Sequence, residues 1–238
     1  MPQCRLAACL ILVDLAFIGA DGIGRVLRDL HGYDGLLAHG LMNVETDRGV
    51  PELFVYTKTV LIIGLLFAMY ARLRQPIYLA WSIIFVIVLI DDATRLHEVL
   101  GGDLVDAVGL PALFGVPPQI WGETAVWIGL GLLVWLPLRR GFAGSDRPHT
   151  DVGRAFLALF AGLLVFAVGV DHLKVMLHDH VRGLGLIEDG GEMIMISLCV
   201  VAAVYARVVL ARPRPAASDG PTGSLATPGP GGSRSGCA

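Results

Sequence analysis

From Ile77 to Ile90 the chain runs fourteen residues without a charge, and it then passes straight into Asp91, Asp92, Arg95, His97 and Glu98. Apolar blocks of this kind recur along the sequence, and they are continuous runs, not the one-sided stripes of a surface helix. Only 16% of the 238 residues are charged and 55% are hydrophobic, whereas a soluble domain carries about 25% charged residues. Blocks of this length and composition specify membrane spans. The pattern predicts an all-α integral membrane six-helix bundle within residues 1–210, with spans at about 5–27, 53–72, 77–99, 120–138, 154–178 and 187–210. Residues 211–238, rich in Pro, Gly and Ser, are expected to form a disordered tail.

The N-terminal stretch "MPQCRLAACLILVDLAFIGADG" has the outline of a signal peptide. Asp14 within it, and the helical pattern continuing to Leu30, favour a retained span. "LAAC" is no lipoprotein box, because only five residues and no apolar run precede it.

Basic residues set the expected orientation. The N-terminus, the 72–76 and 139–154 loops and the tail from Arg207 hold eleven of the eighteen Lys and Arg, but only three acids: Asp146, Asp151 and Asp219. Both termini are therefore expected in the cytoplasm. Almost all acids and six of the seven His then fall on the extracytoplasmic side. Cys4, Cys9, Cys199 and Cys237 show no disulfide or zinc spacing. With a net charge of −3 and no basic stripe, nucleic-acid binding has no support.

Span length decides whether the charged clusters lie inside the membrane. Fourteen residues of helix cover about 21 Å of a roughly 30 Å hydrocarbon core. The third helix is thus expected to run on through "DDATRLHE", which puts Asp91, Arg95 and Glu98 on one face at i, i+4 and i+7. The same shortfall recurs at Glu123, at "DHLKVMLHDH" and at "IEDGGEM". There Glu188 and Glu192 form an i, i+4 pair, and Asp171 shares a face with Lys174 and His178. Such faces avoid lipid, where each charge costs at least about 3 kcal/mol, so they are expected to converge, with spans three and six close together. Lys58 is placed at a similar depth. Asp91, Asp92, Glu98, Glu123, Asp171, Glu188, Asp189 and Glu192 sum to −8, and Arg95 and Lys174 return +2. The surplus demands protons, charged His or a bound cation.

Taken in order, "NVETDRGVPELF", "LIDDATRLHE", "WGETAVW", "AVGVDHL" and "IEDGGEM" resemble a family of uncharacterised bacterial integral membrane proteins. In that family a "DE…HE" motif ends one span and an "EE…E" motif opens the last. The resemblance covers roughly residues 40–205. It implies a six-span protein of the bacterial cytoplasmic membrane and this choice of site residues, but no activity. Asp92, Asp189 and Asp171 stand where the pattern has Glu.

Four readings of the cluster follow. The first is a site for iron, manganese or zinc as a divalent or trivalent ion, built as in carboxylate-bridged bundles. Its ligands would come from Asp91, Asp92, His97, Glu98, Glu123, Asp171, His172, Glu188, Asp189 and Glu192, with a lipid-borne substrate in reach. Neither Glu-x-x-His nor HExxH occurs. The second is a proton or cation pathway, which the apolar "SIIFVIVLI" and "FLALFAGLLVFAV" halves oppose. The third is a haem held by His97 and His172, which the surrounding acids oppose. The fourth is a polar clasp, in which Arg95 pairs with Asp91 and Glu98, and Lys174 with Asp171. His31, His39 and the "HDH" at 178–180 read as loop or interface residues.

Overall fold

The computed structural model describes residues 2–32, 35, 40–46, 48–113, 115–177 and 183–210. The expected tail and the "HDH" lie outside the described residues. The chain forms α1 (Pro2–His31), α2 (Val50–Leu73), α3 (Pro76–Thr94), α4 (Leu96–Val108), α5 (Pro118–Ala143), α6 (Arg147–Leu164), a π-helical stretch (Val165–Val170), α7 (Asp171–Met176) and α8 (Leu184–Leu210). Six helices are long and apolar enough to cross a membrane, with α6, the π segment and α7 acting as one rod from Arg147 to Met176. A lipid bilayer is thus the natural surrounding of this chain.

Proline near the first helical position starts α2, α3, α5 and α6. Its missing N–H would have no partner there in any case, and its φ is already helical. Between α2 and α3 the chain reverses in two residues: Arg74 ends α2 in the left-handed conformation (φ 55°) and Pro76 opens α3. The two helices pack as an antiparallel hairpin, and α8 packs against α1, α2 and α6.

The core lies toward the start of α3. Ile77, Tyr78, Trp81, Ile84 and Phe85 interlock with Ile62 and Leu66 of α2, Phe156 of α6, and Cys199, Val200 and Ala203 of α8. Trp81, Phe85, Phe156 and Phe160 form a cluster of tilted and edge-on rings, with centroids 5.6 to 6.5 Å apart. Apart from the Cys199 thiol, these side chains are hydrocarbon or aromatic, so that half of the bundle is filled.

The third span does not run on to residue 99. It stops at Thr94, because Arg95 adopts φ 54° and ends the helix. A left-handed non-glycine residue costs about 1–2 kcal/mol, and Asp91 offsets that cost. The Asp91 carbonyl accepts the Arg95 N–H, and its carboxylate accepts the His97 N–H at 2.9 Å. One buried aspartate therefore closes α3 and caps α4. The break also cancels the expected single face, since Glu98 now belongs to a separate helix.

α4 is thirteen residues long, or about 20 Å, too short to cross. It lies against α5 with almost no side chain between the two backbones. A Cβ on Gly101 would meet the Glu123 backbone N at 2.7 Å, and one on Gly122 would strike the Gly101 carbonyl. This close approach sets Glu123 beside the α3–α4 break.

Candidate functional site

At the end of the bundle away from the aromatic core, the helices separate around a cavity of about 560 Å³. α3 contributes Asp91 and Asp92 to its wall. The break and α4 contribute Arg95, His97 and Glu98, while α5 adds Glu123. α7 brings Asp171 and Lys174, and α8 brings Glu188, Asp189 and Glu192. The acidic residues singled out in the sequence thus share one wall. α3 packs mainly on α2 and α5, and α8 mainly on α1, α2 and α6, so spans three and six share α2 as a neighbour and do not pack face to face as expected.

Two further acids were missed. Glu45, just before α2, and Glu52, in its first turn, also line the cavity. Both stand in "NVETDRGVPELF", but no apolar run placed them near the other acids. Gly185 of α8 makes room for the Glu45 side chain, which occupies the place a Cβ would take. With these two, ten carboxylates face two cations, a formal charge of −8 with His97 neutral.

Much of this charge is locally engaged. Lys174 Nζ donates to Glu188 at 2.7 Å and lies 3.2 Å from Asp171, so it clasps α7 to α8. Arg95 pairs with Glu98 across the first turn of α4. Gln119 donates to Glu123 at 2.8 Å and to the Glu98 carbonyl at 2.9 Å. His97 Nδ1 lies 2.9 Å from Asp91 Oδ2, and the His97 ring stacks on Trp127 with centroids 5.2 Å apart. Burial opposes the charged imidazole, but the Asp91 hydrogen bond and nearby acids outweigh it, so the His97 pKa is raised.

Glu192 differs from the rest. Among the described residues it accepts no hydrogen bond and forms no ion pair. The charges that act on it are those of Asp189, Asp92, Glu188 and Asp171, all of its own sign.

Two expected residues lie elsewhere. His172 sits on the rod but does not line the cavity. Its Nδ1 is 2.8 Å from the Val168 carbonyl and its Nε2 is 2.9 Å from Thr124 Oγ1. The carbonyl can only accept, so Nδ1 donates to it, while the Thr124 hydroxyl also donates to the Ile120 carbonyl at 2.7 Å. Both nitrogens are hydrogen-bonded away from the cavity, so His172 does not join its wall. Lys58 lies behind the cavity wall. It donates to Asp14 Oδ1 at 2.8 Å, to the Met193 carbonyl at 2.9 Å and to Ser197 Oγ at 3.0 Å. It forms a buried ion pair with Asp14 of α1.

The donor set does not fit a preassembled metal centre. Among the described residues no group of three or more His, Cys, Asp or Glu is arranged to hold a metal ion. The physical reason is the pairing above: Asp91, Glu98, Asp171 and Glu188 are each drawn toward a cation on the wall and away from a common centre.

A model for a family described as a domain of unknown function (DUF8692) matches residues 49–208. That range includes every element of the cavity except the Glu45 segment. No curated protein and no solved structure matches the chain.

Proposed function

The chain belongs to the DUF8692 family, and we propose that its cavity is a cation-binding site open to the extracytoplasmic side of the membrane. Glu192 carries this reading. It is a half-buried carboxylate on the cavity wall, the leading charges acting on it are carboxylates, and like charges gathered in this way are costly unless neutralised. A cation in the cavity neutralises Glu192 and several of its neighbours at once. The orientation rests on the basic loops, which put the cavity end outside.

Binding is favoured over conduction. Beyond Lys58 the bundle is packed with the Ile62, Leu66, Trp81, Phe85 and Phe156 core, and no broken helix opens a path through it. The acids also exceed what a polar clasp needs, since Lys174 alone already ties α7 to α8 and Arg95 pairs with Glu98 within α4.

The test is thermal unfolding of the protein in lipid nanodiscs. Ethylammonium, Ca²⁺ and Mn²⁺ are each titrated at constant ionic strength against wild type and Glu192→Gln. Stabilisation by at least one cation that is lost in Glu192→Gln supports the site. A preference for Mn²⁺ would return a metal ion as the occupant. If no cation raises the unfolding temperature of wild type above that of Glu192→Gln, the acids are a structural clasp.

A further inference from the structure

The cavity does not end in protein on the side of α3 and α5. A second cavity of about 460 Å³ adjoins it, and Val88, Trp127, Phe160 and Leu164 line both. This second space is a groove between α3, α5 and the α6–π rod. Apart from Thr124 and the Trp127 indole, its walls are hydrocarbon or glycine. Ile128, Gly131, Leu164, Val165 and Gly169 are exposed along it, so it opens on the face that lipid would cover.

Resting on the cation-site reading, we propose that the two spaces together hold one amphiphile of the outer leaflet, with an ammonium head in the acidic cavity and its hydrocarbon chain in the groove. Three observations select this occupant. The acidic wall carries a formal −8, which suits a cationic head and repels an anionic one. The head cavity is of ligand size, within the roughly 300–1,000 Å³ of small-molecule sites, and among the described residues no converging group of donors for a bare metal ion lines it. The cavity that adjoins it is apolar and reaches the lipid face, so the ligand's other end is hydrocarbon.

Trp127 is the dividing residue. It stands in both walls, and His97 stacks on its ring. An indole at the junction offers hydrocarbon contact to the first methylenes of a chain and a π surface to an ammonium group. The π-helical stretch Val165–Val170 lies along the groove, and such bulges are frequent at functional sites. Here it brings Val165, Val168 and Gly169 to the groove wall, while Asp171 in the next turn reaches the acidic cavity.

The test uses wild-type protein in phosphatidylcholine nanodiscs and a hexadecylamine carrying a photoreactive diazirine in mid-chain. Cross-links are expected on α3, α5 and the rod at the groove residues. Unlabelled hexadecylamine should suppress them, and hexadecanol of the same chain length should not. Gly131 and Gly169 line the groove with nothing within 4 Å of an added Cβ, so Gly131→Leu/Gly169→Leu can occupy it without a clash. That variant should lower labelling by about tenfold or more, while ethylammonium still raises its unfolding temperature. Equal suppression by hexadecanol would show the groove to be filled by bulk chains and would overturn the proposal, as would undiminished labelling of the double variant. Ethylammonium failing to stabilise wild type is a different result: it removes the cation site itself.

Discussion

Lys58 Nζ lies 2.8 Å from Asp14 Oδ1 inside the bundle, with both side chains essentially inaccessible. The pair joins α2 to α1. Ser197 of α8 donates to the other Asp14 oxygen, and the Met193 carbonyl completes the lysine's bonds. Asp14, which first reads as an oddity in a signal-like stretch, is thus the partner of a cation forty-four residues away. Removing one member leaves the other buried without a counter-charge, at a cost of about 3–5 kcal/mol. Asp14→Asn and Lys58→Met should each destabilise the protein by this order. Lys58→Met combined with Asp14→Leu should recover most of the loss, because two hydrocarbon side chains need no partner. Thermal or denaturant unfolding of all three variants in one detergent decides this. Additive losses in the double variant would mean that the pair is not coupled.

The Asp91–His97 contact predicts a pH dependence. The folded-state pKa of His97 lies above its ordinary 6.5. Below 6.5 the imidazolium is present in folded and unfolded chains alike, and the folded state gains the full Asp91 interaction. As pH rises through the higher folded-state value, the folded protein loses this proton and the stabilisation fades. Wild type should therefore lose stability relative to His97→Gln between about pH 6.5 and the folded-state value. Unfolding of both proteins over that range checks the sign. A wild-type advantage that grows with pH would contradict the pairing.

The six spans were legible because hydropathy acts over whole helices, and an uncharged run such as Ile77–Ile90 has few other solutions. The gathering of acids on one wall was legible because the apolar runs are shorter than the bilayer core, so Glu123, Asp171 and Glu192 had to be carried on helices and kept from lipid. The break at Arg95 was hidden. Nothing in "DDATRLHE" has a helix-breaking propensity, and the stop depends on the Asp91 carboxylate reaching forward to the His97 N–H, a choice made in three dimensions. Glu45 and Glu52 were hidden for a related reason: a loop has no periodicity to say which way it folds back. The loss of His172 turned on local hydrogen bonding to Val168 and Thr124, which spacing does not report.

The α4–α5 contact predicts where small residues are required. At Gly122 an added Cβ would strike the Gly101 carbonyl and come within 2.9 Å of the Val105 side chain. The obstruction at Gly101 is backbone, which cannot rotate away. Gly122→Val should cost about 1–3 kcal/mol or more and should shift Glu123, which lies beside it. Gly129, about two turns further along the same helix, has nothing within 4 Å of its Cβ position, so Gly129→Val serves as the control and should change stability little. Comparable losses at both positions would point to helix propensity and not to the close approach.

Arg95 offers a separate test of the helix break. Its left-handed backbone favours glycine, and its ion pair with Glu98 is largely exposed, so that pair is worth no more than about 1 kcal/mol. Arg95→Gly should therefore be close to neutral in stability, the backbone relief offsetting the lost pair. Arg95→Pro should be strongly destabilising, because proline fixes φ near −65° and removes the N–H that the Asp91 carbonyl accepts. If Arg95→Gly instead costs the roughly 1 kcal/mol of a glycine in a helix interior on top of the lost pair, α3 continues unbroken past Thr94.

The proposed orientation has its own readout. Gly102 follows the Glu98 turn on α4, and Gly183 precedes α8 at the acidic end. Gly144 lies in the short connection between α5 and α6, at the end of the bundle flanked by Arg139, Arg140 and Arg147. A membrane-impermeant thiol reagent applied to intact cells reaches only extracytoplasmic cysteines. In a background with the native cysteines replaced, Gly102→Cys and Gly183→Cys should be labelled, and Gly144→Cys only after the membrane is opened. The reverse pattern would put the acidic cavity toward the cytoplasm. An outer-leaflet amphiphile could not then be its ligand, although the cavity, its charge and its groove would be unchanged.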